Sequence, residues 1–235
     1  MQTLPFDPFI LLVLLGAVFV HATYQLSVSV LTLLSSHTIG RRLHNVHLLR
    51  LSLWYVAGAT IAVALLCLAA IALTAMILPH HYTLMTYVTF TLAPVCALLT
   101  VLVYYRRGAG TRLWLPRAVV SYVTDRAKRT RSGSEAMSLG LLTVMAEVPF
   151  AVAPLLLVGY ALQASGPRQW FELSLLYGIC VSLPLLVVAL YLSSGHKVSG
   201  VQRWREQSKN YLKWTSALTL LILSVYVAGM ESGNL

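Results

Sequence analysis

The sequence predicts an all-α polytopic membrane protein with six transmembrane helices arranged as two inverted three-helix repeats. Three observations carry that expectation. The chain of 235 residues is 58% hydrophobic and only 10% charged; its apolar residues gather into six long runs; and its basic residues fall almost entirely between alternate runs. Soluble domains carry about a quarter charged residues. With a mean hydropathy of +0.76 this chain cannot cover its surface with polar groups in water, which excludes a soluble enzyme and a nucleic-acid binder.

A bilayer core of about 30 Å takes roughly 20 apolar residues as a helix. The runs at 8–35, 51–78, 83–105, 138–163, 171–193 and 210–230 each meet that length. Their acidic residues are Glu147 and, at one end, Glu172. The first two runs are longer than a span needs, so tilt or extension beyond the membrane is expected. Residues 1–7 hold no Lys or Arg, and the apolar run that follows outlasts a signal-peptide core of about 7–15 residues. The first run is therefore expected to be a permanent helix.

The chain has 17 Lys and Arg against 7 Asp and Glu, a net charge of +10. Arg41, Arg42 and Arg50 follow the first run. Arg106, Arg107, Arg112, Arg117, Arg126, Lys128, Arg129 and Arg131 follow the third, and Lys197, Arg203, Arg205 and Lys209 follow the fifth, with Lys213 at the mouth of the sixth. Of the 17 basic residues only Arg168 lies on the other side. The positive-inside rule then places the odd-numbered connections in the cytoplasm and both termini outside a plasma (inner) membrane. The charge excess reports orientation before it reports a partner.

The connection 106–137 carries Leu113, Leu115, Val119, Val120, Tyr122 and Val123 among its basic residues, with Pro116 placed for a helix start. It reads either as an amphipathic helix on the cytoplasmic leaflet or as an ordinary basic loop. In the first case Arg117, Arg126, Lys128, Arg129 and Arg131 form a patch near anionic head groups. Ser132-Gly133-Ser134 is expected to be a flexible joint. Cys67, Cys96 and Cys180 sit in three different runs with no CxxC pair, as small core residues do; a redox role would need two of them facing each other. His80-His81, with no Cys or acid beside them, read as a solvated turn.

Internal repetition organises the rest. The first and fourth runs align at an offset of 124, Leu15-Gly16 with Leu139-Gly140, Val20 with Val144 and Ala22 with Ala146. The second and fifth align at 122, Leu51-Ser52-Leu53-Trp54-Tyr55 with Leu173-Ser174-Leu175-Leu176-Tyr177. The expected units are residues 1–107, a connection 108–137, and residues 138–235. Because three is odd, the second unit enters the membrane with opposite orientation. Many secondary transporters have this arrangement, with binding sites near midplane between the repeats.

The polar-marked first run closes in Leu33-Leu34-Ser35, Gly40-Arg41-Arg42 follows in a basic loop, Gly58 marks the second run, and the order recurs from Gly140. In this pattern the chain resembles the LysE exporter superfamily, which includes CcdA/DsbD-like electron carriers and several metal exporters. The resemblance implies a 3+3 inverted-repeat fold and export of a small solute.

Glu147 is the leading site candidate, because a carboxylate in a membrane interior is costly and marks a proton, ion or substrate path, or a cross-helix packing bond. Pro149 and Pro154 follow it, so the fourth helix is expected to be kinked or interrupted there; Pro94 in the third is a further candidate break. His21, Gln25, Ser29 and Thr32 share one face of the first run, and Thr143 shares a face with Glu147. If the repeats meet through these helices, His21 and Glu147 lie close enough to bind a cation or relay a proton. The alternative, polar residues gluing helices together, stays open for His21 and is favoured for Ser29 and Thr32.

No P-loop, GxSxG, HExxH or paired-Asp motif occurs, so no cofactor is expected, and any metal is left unassigned. The expected function is secondary transport, as an exporter of a small solute or cation, with the lipid bilayer as solvent. The alternative is a non-transporting subunit or scaffold that binds anionic lipid or a partner membrane protein through its basic cytoplasmic face.

Overall fold

Apolar runs of this length satisfy their backbone only as helices once water is excluded, and helix is what the chain forms. The computed structural model describes residues 8–24, 26–36, 42–77, 82–104, 117–163 and 165–231. Among them there are eight α-helices and no strand. Gln25, His80, His81, Arg41, residues 106–116 and the side chain of Arg117 lie outside the described residues.

The first run forms α1 (Pro8–Ala22) and α2 (Leu26–Ser36), which meet at a bend of 44°. The second is α3 (Arg42–Ile77) and the third α4 (Tyr82–Leu99), which passes into a π-helical turn, Thr100–Tyr104. The basic connection holds α5 (Arg117–Arg129). The second half follows as α6 (Gly133–Leu162), α7 (Pro167–Ser193) and α8 (Val198–Glu231).

Four of these helices, within α3, α6, α7 and α8, are long and apolar enough to cross a membrane, and α1 with α2 makes a fifth if the bent pair is one span. In the third run the described apolar helix, Thr91–Leu102, is shorter than a span. Leu65, Met76, Phe171, Val187, Ile222 and Val225 are each more than half exposed on the bundle's outside. In water such a surface would drive association; facing lipid it is the expected one.

Three local expectations are corrected. Ser132 does not open a flexible joint. It caps α6, its Oγ accepting from Glu135 N at 3.3 Å while Glu135 Oε2 accepts from the backbone N–H of Arg131 (2.8 Å) and of Ser132 (3.3 Å). This capping box starts the helix at Gly133, five residues before the apolar run. Nor do the prolines break their helices: α6 runs unbroken through Pro149 and Pro154, and α4 through Pro94. Each ring removes one N–H, yet α6 stays helical on both sides of Pro149 and Pro154. Finally, Arg203, Arg205 and Lys209 belong to α8 and not to a loop. The fifth connection is short because α7 ends at Ser193 and Gly195, at φ 92°, turns the chain at once into α8.

The halves interleave. The most extensive contact is α3 on α6, then α3 on α7 and α4 on α8, while α1 packs on α6, α8 and α7. Glycine sets the closest of these. A Cβ at Gly140 would lie 2.8 Å from Ala59 N and closer still to the Tyr55 carbonyl, and one at Gly58 would collide with the Met137 carbonyl. Backbone thus touches backbone between α3 and α6, as small residues permit in membranes. That contact fixes Glu147, two turns beyond Gly140.

Candidate functional site at the break in the first helix

The first helix stops without a proline. Its last turn tightens, Thr23 N donating to Val20 O and Tyr24 N to His21 O, both at 3.1 Å, and Thr23 Oγ1 also donates to Val20 O at 2.6 Å. These three-residue bonds close α1. The chain then restarts at Leu26 as α2, whose first N–H groups have no helical carbonyl behind them.

Glu147 fills that need from α6. Its Oε1 accepts from Ser27 N at 3.2 Å and its Oε2 from Ser27 Oγ at 3.1 Å. The acid, only 4% exposed, is therefore an N-terminal cap for α2 supplied from 120 residues away. A carboxylate at a helix N-terminus meets both the bare N–H groups and the positive end of the helix dipole.

Two tyrosines hold the same region. Tyr55 of α3 donates to Ser27 O at 3.0 Å and also lies against Thr143. The Tyr177 hydroxyl of α7 lies 3.1 Å from His21 Nδ1 and 3.4 Å from Ala17 O. Both side chains are fully buried. One therefore grips α1 before the break and the other grips α2 after it.

Beside the break is a cavity of about 30 Å³ lined by His21, Tyr24, Ser27, Glu147 and Ser182, with an apolar wall that includes Val63, Val144, Val181 and Leu185. A buried water needs roughly 10–15 Å³ of such space, so there is room for one or two. His21 and Glu147, expected to be near each other, line this one cavity. Thr143 is fully buried but turns back to Leu139 O at 2.7 Å and supports Tyr55 rather than the cavity. Of the helix-break candidates, none lies at the break; Pro184 of α7, not Pro149, Pro154 or Pro94, reaches the cavity wall.

Sequence reasoning missed Ser27, Tyr55, Tyr177, Ser182 and Arg205. The tyrosines were visible only as letters shared by the two repeats. Arg205 passed as a cytoplasmic loop charge, but it is buried and its Nη2 donates to Ser29 Oγ on α2 at 2.8 Å. Lys213 is buried on the same helix, with its Nζ 5.2 Å from the Trp214 ring centre. Ser29, expected to be helix glue, has that role toward α8.

Away from the cavity, Arg126, Lys128, Arg129 and Arg131 are exposed at the end of α5, whose Val123 and Ala127 are buried. The helix packs on α2 and α6. The three cysteines are all free thiols. Among the described residues no group of three or more His, Cys, Asp or Glu side chains converges to hold a metal ion. Comparison of the chain with known protein families, with curated proteins and with solved structures found no match.

Proposed function

We propose that the protein is a secondary transporter of the plasma (inner) membrane, an exporter of a small solute in which Glu147 couples solute movement to proton movement. The observation that carries this reading is the bond between the buried acid and the start of α2, beside a polar cavity. Broken helices whose ends meet charged groups at mid-membrane are the usual site architecture of secondary transporters. Protonating Glu147 removes the charge that holds α2, so one proton alters the part of the helix that faces the solute.

The six-span, inverted 3+3 arrangement belongs to the same proposal, with α4 and its π-helical turn as the third span and both termini outside. Two features support it. Exchanging α1 with α6, α3 with α7 and α4 with α8 converts α3-on-α6 into α7-on-α1 and α4-on-α6 into α8-on-α1, all of them contacts that occur. The shared LSLxY string also faces the same way twice: Ser52, Tyr55, Ser174 and Tyr177 are buried, while Leu53, Trp54, Leu175 and Leu176 are exposed. Membership of the LysE exporter superfamily is part of this proposal and rests on the repeat pattern alone.

The test is flux in proteoliposomes under an imposed pH gradient, across a panel of amino acids, short carboxylates and mono- and divalent cations. The wild type should move at least one class, and Glu147→Gln should lose gradient-driven accumulation of it. No flux across the panel would refute the transport reading. A second reading is favoured by the exposed basic end of α5: a non-transporting subunit that binds anionic lipid or a partner membrane protein there. Stable co-purification with a partner in mild detergent, without flux, would select it.

A further inference from the structure

The basic corner between α5 and α6 indicates what lies against it. We infer that this corner is a binding site for the phosphate headgroup of an anionic phospholipid, whose acyl chain lies along the exposed face of α3. The inference names the occupant of the basic end of α5. It does not rest on the transport reading and holds for a transporter and a non-transporting subunit alike.

The first observation is unpaired charge on a docked helix. Val123 and Ala127 of α5, with Thr130 just beyond its end, are buried in one row, and the helix packs on α2 and α6. The same helix end presents Arg126, Lys128, Arg129 and, at the joint, Arg131, all exposed. Among the described residues none of these four cations makes an ion pair, whereas Arg168 at the start of α7 pairs with Glu172 at 2.8 Å. The acids of this stretch are Asp125, exposed on α5, and Glu135, whose carboxylate is occupied by the capping box. Positive charge is therefore in excess here and held on a fixed element.

The second observation sets the depth of the corner and is independent of the charges. Trp54 of α3 is 44% exposed, and its indole lies against the start of α6: a Cβ added at Gly133 would come within 2.6 Å of Trp54 Cδ1. The corner thus rests on this ring. Ile61 and Leu65 follow Trp54 on the same face of α3 and are also exposed. Arg50, one turn before Trp54 on that face, is exposed as well. A half-exposed Trp between an apolar row and a basic end marks the membrane–water interface. The four cations therefore stand at headgroup level, with the apolar row of α3 beside them for a chain.

The side chains also select the ligand. Arg126, Arg129 and Arg131 are guanidinium groups, each able to donate two parallel hydrogen bonds to phosphate oxygens. A protein partner would need a different surface, since the core of a protein interface is apolar and poor in charge. Among the described side chains of α5, Tyr122 is the one large hydrophobic group that is exposed. Phosphate in solution would satisfy the arginines and leave the row of Trp54, Ile61 and Leu65 uncovered; a phospholipid meets both.

The experiment is native mass spectrometry of the full chain in detergent, titrated with phosphatidylglycerol and with phosphatidylcholine of the same acyl chains. Wild type should bind phosphatidylglycerol at least about tenfold more tightly, since each cation near an anionic headgroup is worth roughly fivefold in affinity. The triple variant Arg126→Gln, Arg129→Gln, Arg131→Gln should bring the two lipids within about twofold of each other. Arg203→Gln, which removes an exposed charge on α8, should leave the preference unchanged. Glycerol phosphate, which has the phosphate without the chains, should not displace phosphatidylglycerol at equal concentration. Equal binding of the two lipids by wild type, a preference kept by the triple variant, or the same loss in Arg203→Gln would overturn the inference. Displacement by glycerol phosphate would overturn it in favour of a soluble phosphate. A protein that co-purifies with wild type but not with the triple variant, in the absence of any lipid preference, would overturn it in favour of a protein contact. If the triple variant does not fold, a wild-type preference that stays the same from about 0.1 M to about 1 M ammonium acetate would overturn it, because salt screens a contact between exposed charges. None of these measurements reads flux, so their failure and the failure of the transport reading are separate results.

Discussion

The opening helices of the two halves behave in opposite ways. In the second half, α6 contains two prolines and stays helical from Gly133 to Leu162. The first helix contains no proline between Phe9 and Ser36, and it breaks after Ala22 with a 44° bend. Local propensity would assign the break the other way round. The difference is tertiary. α6 lies backbone to backbone on α3 at Gly58 and Gly140, and that contact holds it through the missing N–H groups. At the start of α2, a side chain from α6 supplies the acceptors that a restarted helix lacks. Polar contacts between helices, more than helix propensity, decide where a buried helix ends here.

The contrast can be broken most severely at the α3–α6 contact. Gly140→Leu should cost about 3 kcal/mol or more, because backbone atoms cannot give way as side-chain ends do; thermal unfolding in detergent measures it. Gly166→Leu, where an added Cβ meets nothing within 4 Å, should leave the midpoint unchanged. Next in size is Glu147→Ala, which leaves the Ser27 N–H and hydroxyl buried without their acceptor, at about 1–3 kcal/mol. Glu147→Gln should lose less, since an amide oxygen still accepts.

Smaller effects sharpen the comparison between the repeats. Tyr55→Phe and Tyr177→Phe should each lower stability by about 1 kcal/mol, the usual worth of one buried hydrogen bond. Similar losses in the two would fit their equivalent places in the LSLxY strings; a large loss in only one would argue that the repeats have diverged in role. The smallest effect is expected at Pro149. Its ring does not shape the break, so Pro149→Ala should shift stability by no more than about 0.5 kcal/mol, or raise it, with flux unchanged. A loss of flux there would return the hinge to α6.

Much of this was legible in one dimension. Hydropathy located the helices because lipid leaves an apolar run no other structure. Glu147 stood out because a lone intramembrane acid is expensive wherever it sits, and His21 lines the same cavity. The break did not show, because its cause is a side chain 120 residues distant. Arg205 was hidden for a related reason: hydropathy ends a span where charges begin, while α8 continues from Val198 and buries it. The capping box at Ser132 and Glu135 was present as a motif, yet Ser-Gly-Ser composition masked it as a joint. Gln25, the remaining site candidate, lies outside the described residues.

If Glu147 links proton to solute, as proposed, the coupling must run in both directions. The most direct measurement is therefore the pH inside proteoliposomes when only a solute gradient is applied, recorded for wild type and Glu147→Gln with a solute that the wild type transports. The gradient should move protons in the wild type and none in Glu147→Gln, even where solute exchange across the membrane persists. Equal proton movement in the two proteins would contradict it.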